Sequence, residues 1–167
     1  EVLVEATSTE EVAAVVKLCN ENKVPVTPSG ARTGLVGGAV SIGGGVMISL
    51  TKMNKILGYD KENFVVKIQS GVLLNDLAQD AEKQGLLYPP DPGEKFATLG
   101  GNVSTNAGGM RACKYGATRD YVRAMEVVLP TGIKLMLLLP LRLSLQSKFK
   151  AVSVLNNSAF FGVTLIR

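Results

Sequence analysis

The spacing of hydrophobic residues in the first part of the chain predicts a strand, a helix and a second strand. Residues 2–5 form a short apolar run typical of a strand. Ser8 and Glu11, three positions apart, predict a capping box at the beginning of the helix. The second strand is predicted over Val24–Thr27, closed by Pro28, and a unit of this kind implies parallel strands joined by a right-handed crossover. One face of the helix is apolar at positions i, i+3, i+4 and i+7, which are occupied by Val12, Val15, Val16 and Cys19.

Later apolar patterns predict further strands and a second helix. Val46–Leu50 alternates as a strand does, and Phe64, Val66 and Ile68 alternate after a turn predicted near residues 58–61. Gly85 is placed to end a helix whose apolar face carries Leu74, Leu77, Ala78 and Ala81. A hairpin is predicted from two apolar runs and the turn between them, which are Val122–Leu129, Ile133–Leu139 and Pro130–Gly132.

These elements predict an α+β fold in one domain, since 167 residues are few for two domains. A small βαβ lobe is expected over residues 1–58. A larger lobe with a mixed or antiparallel sheet is expected over residues 59–167.

Composition and charge exclude several classes of protein. An apolar content of 46% with 19% charged residues is ordinary for a globular chain. The net charge of +4 suits an anionic small ligand, but the cations are scattered, so no nucleic-acid partner is predicted. The apolar run over residues 133–145 is too short for a membrane span. With no visible secretory signal and two cysteines far apart, we expect a cytoplasmic protein with reduced thiols.

The sequence contains no histidine, which removes the usual general base and the commonest metal ligand. A serine–histidine nucleophile is therefore impossible within this chain, and no metal-binding spacing of cysteine and histidine exists. We predict that the chain holds no catalytic residue and no metal site. Any chemistry must come from a cofactor or from a segment outside these residues.

Two glycine-dense segments stand out among the 18 glycines. The first, Pro28–Gly38, directly follows a predicted strand, where backbone N–H groups can hold a phosphate. It is neither a P-loop nor a G-x-G-x-x-G fingerprint, so a structural loop and a dinucleotide-binding loop both remain open. The second, Pro90–Gly109, places small hydroxyl and amide side chains between pairs of glycines, which suits a planar ligand with polar edges.

Together the two segments resemble the FAD-binding domain of the vanillyl-alcohol-oxidase type flavoproteins. The resemblance is greatest to the branch that contains D-lactate dehydrogenase and the glycolate oxidase flavoprotein subunit. It extends from about Val4 to about Gly132. The segments that carry it are Pro28–Gly38, Tyr88–Pro92, Thr98–Val103, Asn106–Gly109, Lys114–Gly116 and Glu126–Pro130.

The resemblance implies that FAD lies between the two lobes. The pyrophosphate would be wrapped by the backbone of Pro28, Ser29, Gly30, Ala31, Arg32, Thr33 and Gly34. The isoalloxazine and ribityl groups would be lined by Pro90, Asp91, Thr98, Gly100, Gly101, Asn102, Ser104, Thr105, Asn106, Ala107, Gly108 and Gly109. The end of a further FAD-contacting turn is matched by Gly162 and Val163.

Three departures from the family pattern change what is expected. Thr33 stands where some members attach FAD to a histidine, so we expect non-covalent binding, with a cysteinyl link as the alternative. Arg32 stands where the branch commonly has glycine, and it either adds charge near the pyrophosphate or crowds the turn. Residues 135–157 match nothing in the family, and the substrate domain is absent, so the chain is expected to be inactive alone.

The implied function is that of a flavin-dependent dehydrogenase or oxidase of 2-hydroxy acids such as D-lactate or glycolate, an enzyme acting on CH–OH groups. In the intact enzyme flavin N5 would accept a hydride, and electrons would pass to a quinone or an electron-transfer flavoprotein. The alternatives are a non-catalytic FAD-carrying electron-transfer subunit, a flavin domain of the UDP-N-acetylenolpyruvylglucosamine reductase type, and a glycine-rich module without flavin.

Overall fold

The computed structural model describes residues 1–138 and 160–166. A short 3₁₀ helix, Thr118–Asp120, lies among the regular elements. The helices are α1 (Thr9–Glu21), α2 (Leu74–Lys83), α3 (Leu99–Thr105) and α4 (Ala112–Tyr115). The strands are β1 (Val2–Glu5), β2 (Val26–Ser29), β3 (Val46–Ser49), β4 (Ile56–Asp60), β5 (Val65–Gln69), β6 (Val122–Val128), β7 (Lys134–Leu138) and β8 (Phe160–Ile166).

The strands form two sheets, and the predicted α+β class is confirmed. The first sheet is parallel and has the order β1-β3-β2. The second is antiparallel and has the order β4-β5-β8-β6-β7. The parallel arrangement predicted for the first two strands is present, but β3 lies between them and pairs with both.

Strand β2 extends further than its sequence suggests. It was expected to end before Pro28, whereas it runs from Val26 to Ser29 and includes the proline. A proline has no N–H to donate, so it fits a strand only where one edge is unpaired. Because β2 is the outer strand of the first sheet, it accommodates Pro28 and places Ser29 beside Ser49 of β3.

Helix α1 begins where the sequence predicted, with a different side-chain arrangement. The hydroxyl of Ser8 accepts the N–H of Glu11 at 3.2 Å, as an N-cap does. The Glu11 carboxylate accepts the N–H of Thr7 at 2.7 Å and its hydroxyl at 3.0 Å, instead of returning to Ser8. The Ser8 cap is therefore where it was predicted, and only the return bond to Glu11 is displaced by one residue, to Thr7.

Helix α1 joins the two sheets. Its buried Val12 and Val16 share a core with Ile48 of the first sheet and Val128 of the second. The hydroxyl of Thr9 donates to the Glu126 carboxylate at 3.0 Å. At the next residue of α1, the carboxylate of Glu10 lies 2.6 Å from the ammonium of Lys134. These contacts fix the second sheet against the helix that covers the first.

The predicted hairpin and the second helix are confirmed. Strands β6 and β7 pair antiparallel, and Gly132 in the turn has a φ of +79°. Gly85 follows the end of α2 with a φ of +75°. The buried side chains of α2 and α3 pack together against the second sheet, in a core that contains Ile68, Leu74, Leu77 and Leu99.

The β4–β5 hairpin corrects two expectations. Residues 58–61 were predicted as a turn, but β4 continues to Asp60 and the turn occupies residues 61–64. Phe64 was expected in the strand, whereas it is 58% exposed in the turn with a φ of +53°. Because β4 begins at Ile56, the expected lobe boundary at residue 58 falls inside the first strand of the second sheet.

Two leucines allow the core to be tested. Leu77 of α2 is fully buried, whereas Leu87 is 66% exposed. Leu77→Ala should lower the free energy of unfolding by about 3 kcal/mol, because it leaves a cavity beneath α2. Leu87→Ala should lower it by less than about 0.5 kcal/mol. Urea unfolding followed by circular dichroism measures both, and equal losses would contradict the described packing.

Candidate cofactor-binding site

The ends of three strands and the beginning of one helix meet at the junction between the sheets. The N–H of Leu50, after β3, donates to the carbonyl of Ser29 at the end of β2 at 2.9 Å. The N–H of Gly71, after β5, donates to the carbonyl of Met53 at 2.8 Å. The N–H of Gly100 in α3 donates to the carbonyl of Ser70 at 2.8 Å.

Glycine is required at three positions of this junction because neighbouring backbone or side-chain atoms occupy the place of a Cβ. A Cβ at Gly30 would overlap the hydroxyl oxygen of Thr98, which is the N-cap of α3. A Cβ at Gly71 would overlap the carbonyl oxygen of Leu50, and one at Gly100 would lie 2.7 Å from the Cβ of Ser70. The two glycine segments, far apart in sequence, are therefore in direct contact through Gly30 and Thr98.

The first loop leaves its backbone donors free. From Gly30 to Gly38 the N–H groups donate to no acceptor among residues 1–138 and 160–166. A Cβ at Gly34 or at Gly38 would meet nothing within 4 Å. Arg32 has a φ of +59°, which is the left-handed region that favours glycine. The loop is thus an open run of N–H donors at the end of a strand, which is the arrangement that binds phosphate groups.

The second segment contains helix α3, which sequence analysis did not predict. The first N–H groups of α3 are occupied by protein, with Leu99 donating to Val72 at 2.8 Å and Gly101 donating to the Thr98 hydroxyl at 3.3 Å. The hydroxyls of Ser104 and Thr105 donate to carbonyls one turn earlier, at 2.9 and 3.0 Å. These hydroxyl protons were expected to face a ligand and are instead used within the helix.

Asn102 differs from its neighbours in α3. The residue is 4% exposed, and its Nδ2 has no hydrogen-bond partner among residues 1–138 and 160–166. Asn106 ends the helix with a φ of +50°, and its side-chain oxygen accepts the N–H of Arg119 at 3.0 Å. Two asparagines were predicted to line the site. Asn102 keeps a buried N–H donor that no described residue uses, whereas the side chain of Asn106 stabilises the following turn.

The turn after α3 lies beside the proline-rich segment. Asp91 and Gly109 form an isolated parallel bridge, and a Cβ at Gly109 would overlap the carbonyl oxygen of Asp91. The Asp91 carboxylate accepts the N–H of Gly93 at 3.3 Å and lies 3.6 Å from Nε of Arg111. Pro90 is buried, the carbonyl of Ala107 accepts the N–H of Thr118 at 3.0 Å, and a Cβ at Gly108 would lie in ordinary contact with Ala112. Asp91 thus holds the proline-rich segment against the turn after α3.

The predicted residues of the tail lie in the central strand of the second sheet. Gly162 and Val163 belong to β8, between β5 and β6, where a turn was expected. Val163 pairs with Gln69, the last residue of β5 and the neighbour of Ser70. Both residues consequently lie near the end of β5, where the carbonyl of Ser70 accepts the N–H of Gly100 in α3. Residues 139–159, which cover most of the unmatched segment 135–157, lie outside the described residues.

Sequence analysis missed Ser70 and Gly71. Ser70 is 1% exposed, its Oγ has no hydrogen-bond partner, and its backbone carries the contact with Gly100. A polar residue followed by glycine at the end of a predicted strand was the available signal. Since many structural turns have that pattern, it did not stand out beside the two dense segments.

The tyrosines near the site are held neutral. Burial raises the pKa of Tyr88 above its ordinary value. Its ring meets the ring of Tyr121 edge to face at 5.8 Å, and the hydroxyl of Tyr121 donates to the carbonyl of Tyr115 at 2.7 Å. These phenols pack the wall of the site and, being neutral at ordinary pH, do not supply a base.

The described residues contain neither a metal-binding cluster nor a membrane-spanning helix. No group of three or more acidic or cysteine side chains in residues 1–138 and 160–166 is arranged to hold a metal ion. Within those same ranges, every helix is too short or too polar to cross a membrane. Cys19 is buried and Cys113 exposed, and both are free thiols.

An open run of N–H donors, joined through glycine contacts to a small-residue helix with a buried free amide, fits a dinucleotide cofactor. The sequence model described as the FAD binding domain matches residues 1–135. The chain belongs to the FAD binding domain family. The predicted resemblance and the predicted FAD cofactor are thereby confirmed.

Two relatives indicate which members of the family this chain is similar to. The chain is 96% identical over 132 residues to D-lactate dehydrogenase of Anaerostipes hadrus, a match that covers 79% of this chain and 28% of that protein. It is 44% identical over 126 residues to glycolate oxidase subunit GlcD of Bacillus subtilis, covering 75% of this chain and 27% of the relative. The chain therefore spans about 28% of the first of these relatives.

Solved structures agree on the fold. An alkyldihydroxyacetonephosphate synthase matches 98% of this chain with a TM-score of 0.78 and 27% sequence identity. The match covers 31% of that protein. The two-sheet arrangement thus occurs as one part of considerably longer polypeptides.

The contact between the two glycine segments can be tested by a double-mutant cycle. Gly30→Ala should lower the free energy of unfolding by about 2 kcal/mol, because the new methyl overlaps the Thr98 hydroxyl. In a Thr98→Ala background the loss should be smaller, with a coupling above about 0.5 kcal/mol. Gly38→Ala is the matched control because there is open space around Gly38. It should lower the free energy of unfolding by less than Gly30→Ala does in either background. Equal losses with and without Thr98 would show that the segments do not touch.

Proposed function

We propose that this chain is the cofactor-holding domain of a flavin-dependent dehydrogenase or oxidase that acts on small 2-hydroxy acids of the D-lactate or glycolate type. FAD would lie without a covalent link between the two lobes of a single domain, at the junction of the sheets. The observation that carries the proposal is the run of free N–H groups from Gly30 to Gly38, fixed against α3 through Gly30 and Thr98.

The first loop is suited to the diphosphate of the cofactor. A diphosphate needs several converging donors, and exposed backbone N–H groups at a strand end provide them without side-chain charges. Open space at Gly34 allows a ligand to approach the backbone closely. We assign Pro28–Gly34 to this role, as the resemblance implies.

The second segment is suited to the flavin. Ala107 and Gly108 add no bulky side chain to the turn after α3, while the space beside Gly109 is filled by the Asp91 backbone. The Nδ2 of Asn102, which has no partner among the described residues, is a donor for a polar atom of the ligand. The remaining assigned residues support this segment through backbone or side-chain contacts, or lie in the adjoining strand β8: Pro90, Asp91, Thr98, Gly100, Gly101, Ser104, Thr105, Asn106, Gly162 and Val163.

Bound FAD supplies the hydride-accepting atom, flavin N5. The residues of this chain bind and orient the cofactor but offer no base, since histidine is absent from the sequence and Asp91 and Glu126 are engaged in structural bonds. The substrate carboxylate, the base and the site for an acceptor such as a quinone or an electron-transfer flavoprotein would belong to the additional length found in the relatives. We expect the protein to act in the cytoplasm.

FAD binding is the direct test, with Gly34 as the sensitive position. The full chain should quench FAD fluorescence on titration and release the flavin on acid or heat. Gly34→Val should weaken FAD binding at least tenfold while leaving the melting temperature of the ligand-free protein unchanged, because its side chain meets ligand and no protein atom. Gly43→Val, also with nothing within 4 Å, is the matched control and should bind FAD normally. A chain that leaves FAD fluorescence unchanged would contradict the proposal.

Turnover is the second test. The FAD-loaded chain should not oxidise D-lactate, glycolate or D-2-hydroxyglutarate, because hydride transfer needs a deprotonated hydroxyl and a fixed carboxylate near the flavin. Reduction by dithionite should persist, since that reactivity belongs to the cofactor. A steady-state assay with a dye acceptor measures turnover, and loss of flavin absorbance without the dye measures the reduction. Saturable turnover by this chain would place the whole active site within it.

A further inference from the structure

Arg32 has an unusual backbone conformation for its residue type. Its φ of +59° lies in the left-handed region, which a residue with a Cβ enters at a cost in energy. In the part of the chain that the structure describes, the other non-glycine residues with positive φ are Lys23, Phe64 and Asn106. Arg32 is the member of this group that lies in the first loop, among the free N–H groups.

Arg32 has no acidic partner among the described residues. No aspartate or glutamate occurs in the sequence between Glu21 and Asp60. The nearby cation Lys52 is paired with Glu5 at 2.9 Å, whereas none of the ion pairs between described residues involves Arg32. The residue is exposed, so its guanidinium is free to contact a ligand.

The backbone around Arg32, like its charged side chain, favours an anion. A backbone nest combines a left-handed residue with a right-handed neighbour, and its successive N–H groups form a concavity that binds anions. The φ of Arg32 provides the left-handed residue of such a nest. The N–H groups on both sides of Arg32 have no acceptor among the described residues. A guanidinium beside such a concavity adds a planar pair of donors that match phosphate oxygens.

We propose that Arg32 is a cofactor-affinity residue whose guanidinium pairs with the diphosphate of the bound dinucleotide. The inference rests on the proposed FAD-binding function and adds a side-chain charge to a loop that otherwise binds through its backbone. Glycine would fit the left-handed position with less strain. Arginine there is therefore explained by a gain in the ligand-bound state that glycine cannot provide.

The test compares the full 167-residue chain with Arg32→Gly and Arg32→Lys. Arg32→Gly should raise the dissociation constant for FAD about fivefold at low salt, within the range for one charged contact, while the melting temperature of the ligand-free protein stays equal or rises. The difference should shrink at high salt because ions screen the lost charge. Arg32→Lys keeps the charge but loses the planar pair of donors, so its dissociation constant should lie between those of the unchanged protein and Arg32→Gly.

Lys23→Gly is the matched control. Lys23 is also a cation with positive φ, at 57°, in the same stretch without acidic residues, but it follows the end of α1. Its replacement removes the same charge and relieves the same strain, and FAD affinity should not change.

Three results would overturn the inference. Arg32→Gly binding FAD as tightly as the unchanged chain would show that the arginine is only tolerated. An equal loss of affinity with Lys23→Gly would show a general effect of net charge. If the unchanged chain does not bind FAD at all, the proposed function fails and this inference fails with it, whereas the first two results leave the proposed function intact.

Discussion

Backbone contact at the junction of the two sheets is the constraint on which the site depends. At Gly30, Gly71 and Gly100 a single added carbon would overlap neighbouring atoms. The ends of β2, β3 and β5 and the beginning of α3 are held at this distance by backbone hydrogen bonds of 2.8 to 2.9 Å. On the other side, α1 links the sheets through Val128 and Glu126. The loop from Gly30 onward is therefore anchored at its base and open beyond it.

Much of the fold follows from local patterns in the sequence. The helical spacing of α1 and α2 and the apolar runs of β6 and β7 are strong signals, and the structure has all four elements. Helix α3 could not be predicted, because Leu99–Thr105 contains two glycines and β-branched residues that favour other conformations. Its stability comes from tertiary contacts, such as the bond from Leu99 to Val72, which sequence spacing does not reveal.

The candidate site was predictable in part for a similar reason. Dense glycine is visible in a sequence, and it marked both segments that meet at the junction. The partner of each glycine is not visible: Thr98 for Gly30, or Ser70 for Gly100. The side chains of Ser104 and Thr105 likewise looked available in sequence, but a helix offers their hydroxyls a carbonyl one turn earlier. Residue type suggests the chemistry of a site, and only the fold determines which donors remain free.

Mutations affect a site built from backbone donors differently from a site built from side chains. Its affinity depends little on which side chains occupy the loop, because N–H groups are common to all residues except proline. It depends strongly on where a Cβ is permitted, so the glycines at the base of the loop and the open space at Gly34 carry the specificity. Charge can be added to such a loop without rebuilding it, provided that the new side chain points away from the backbone contacts. The pairing proposed for Arg32 is of this kind, since it would adjust cofactor affinity while the fold and the backbone contacts of the loop stay the same.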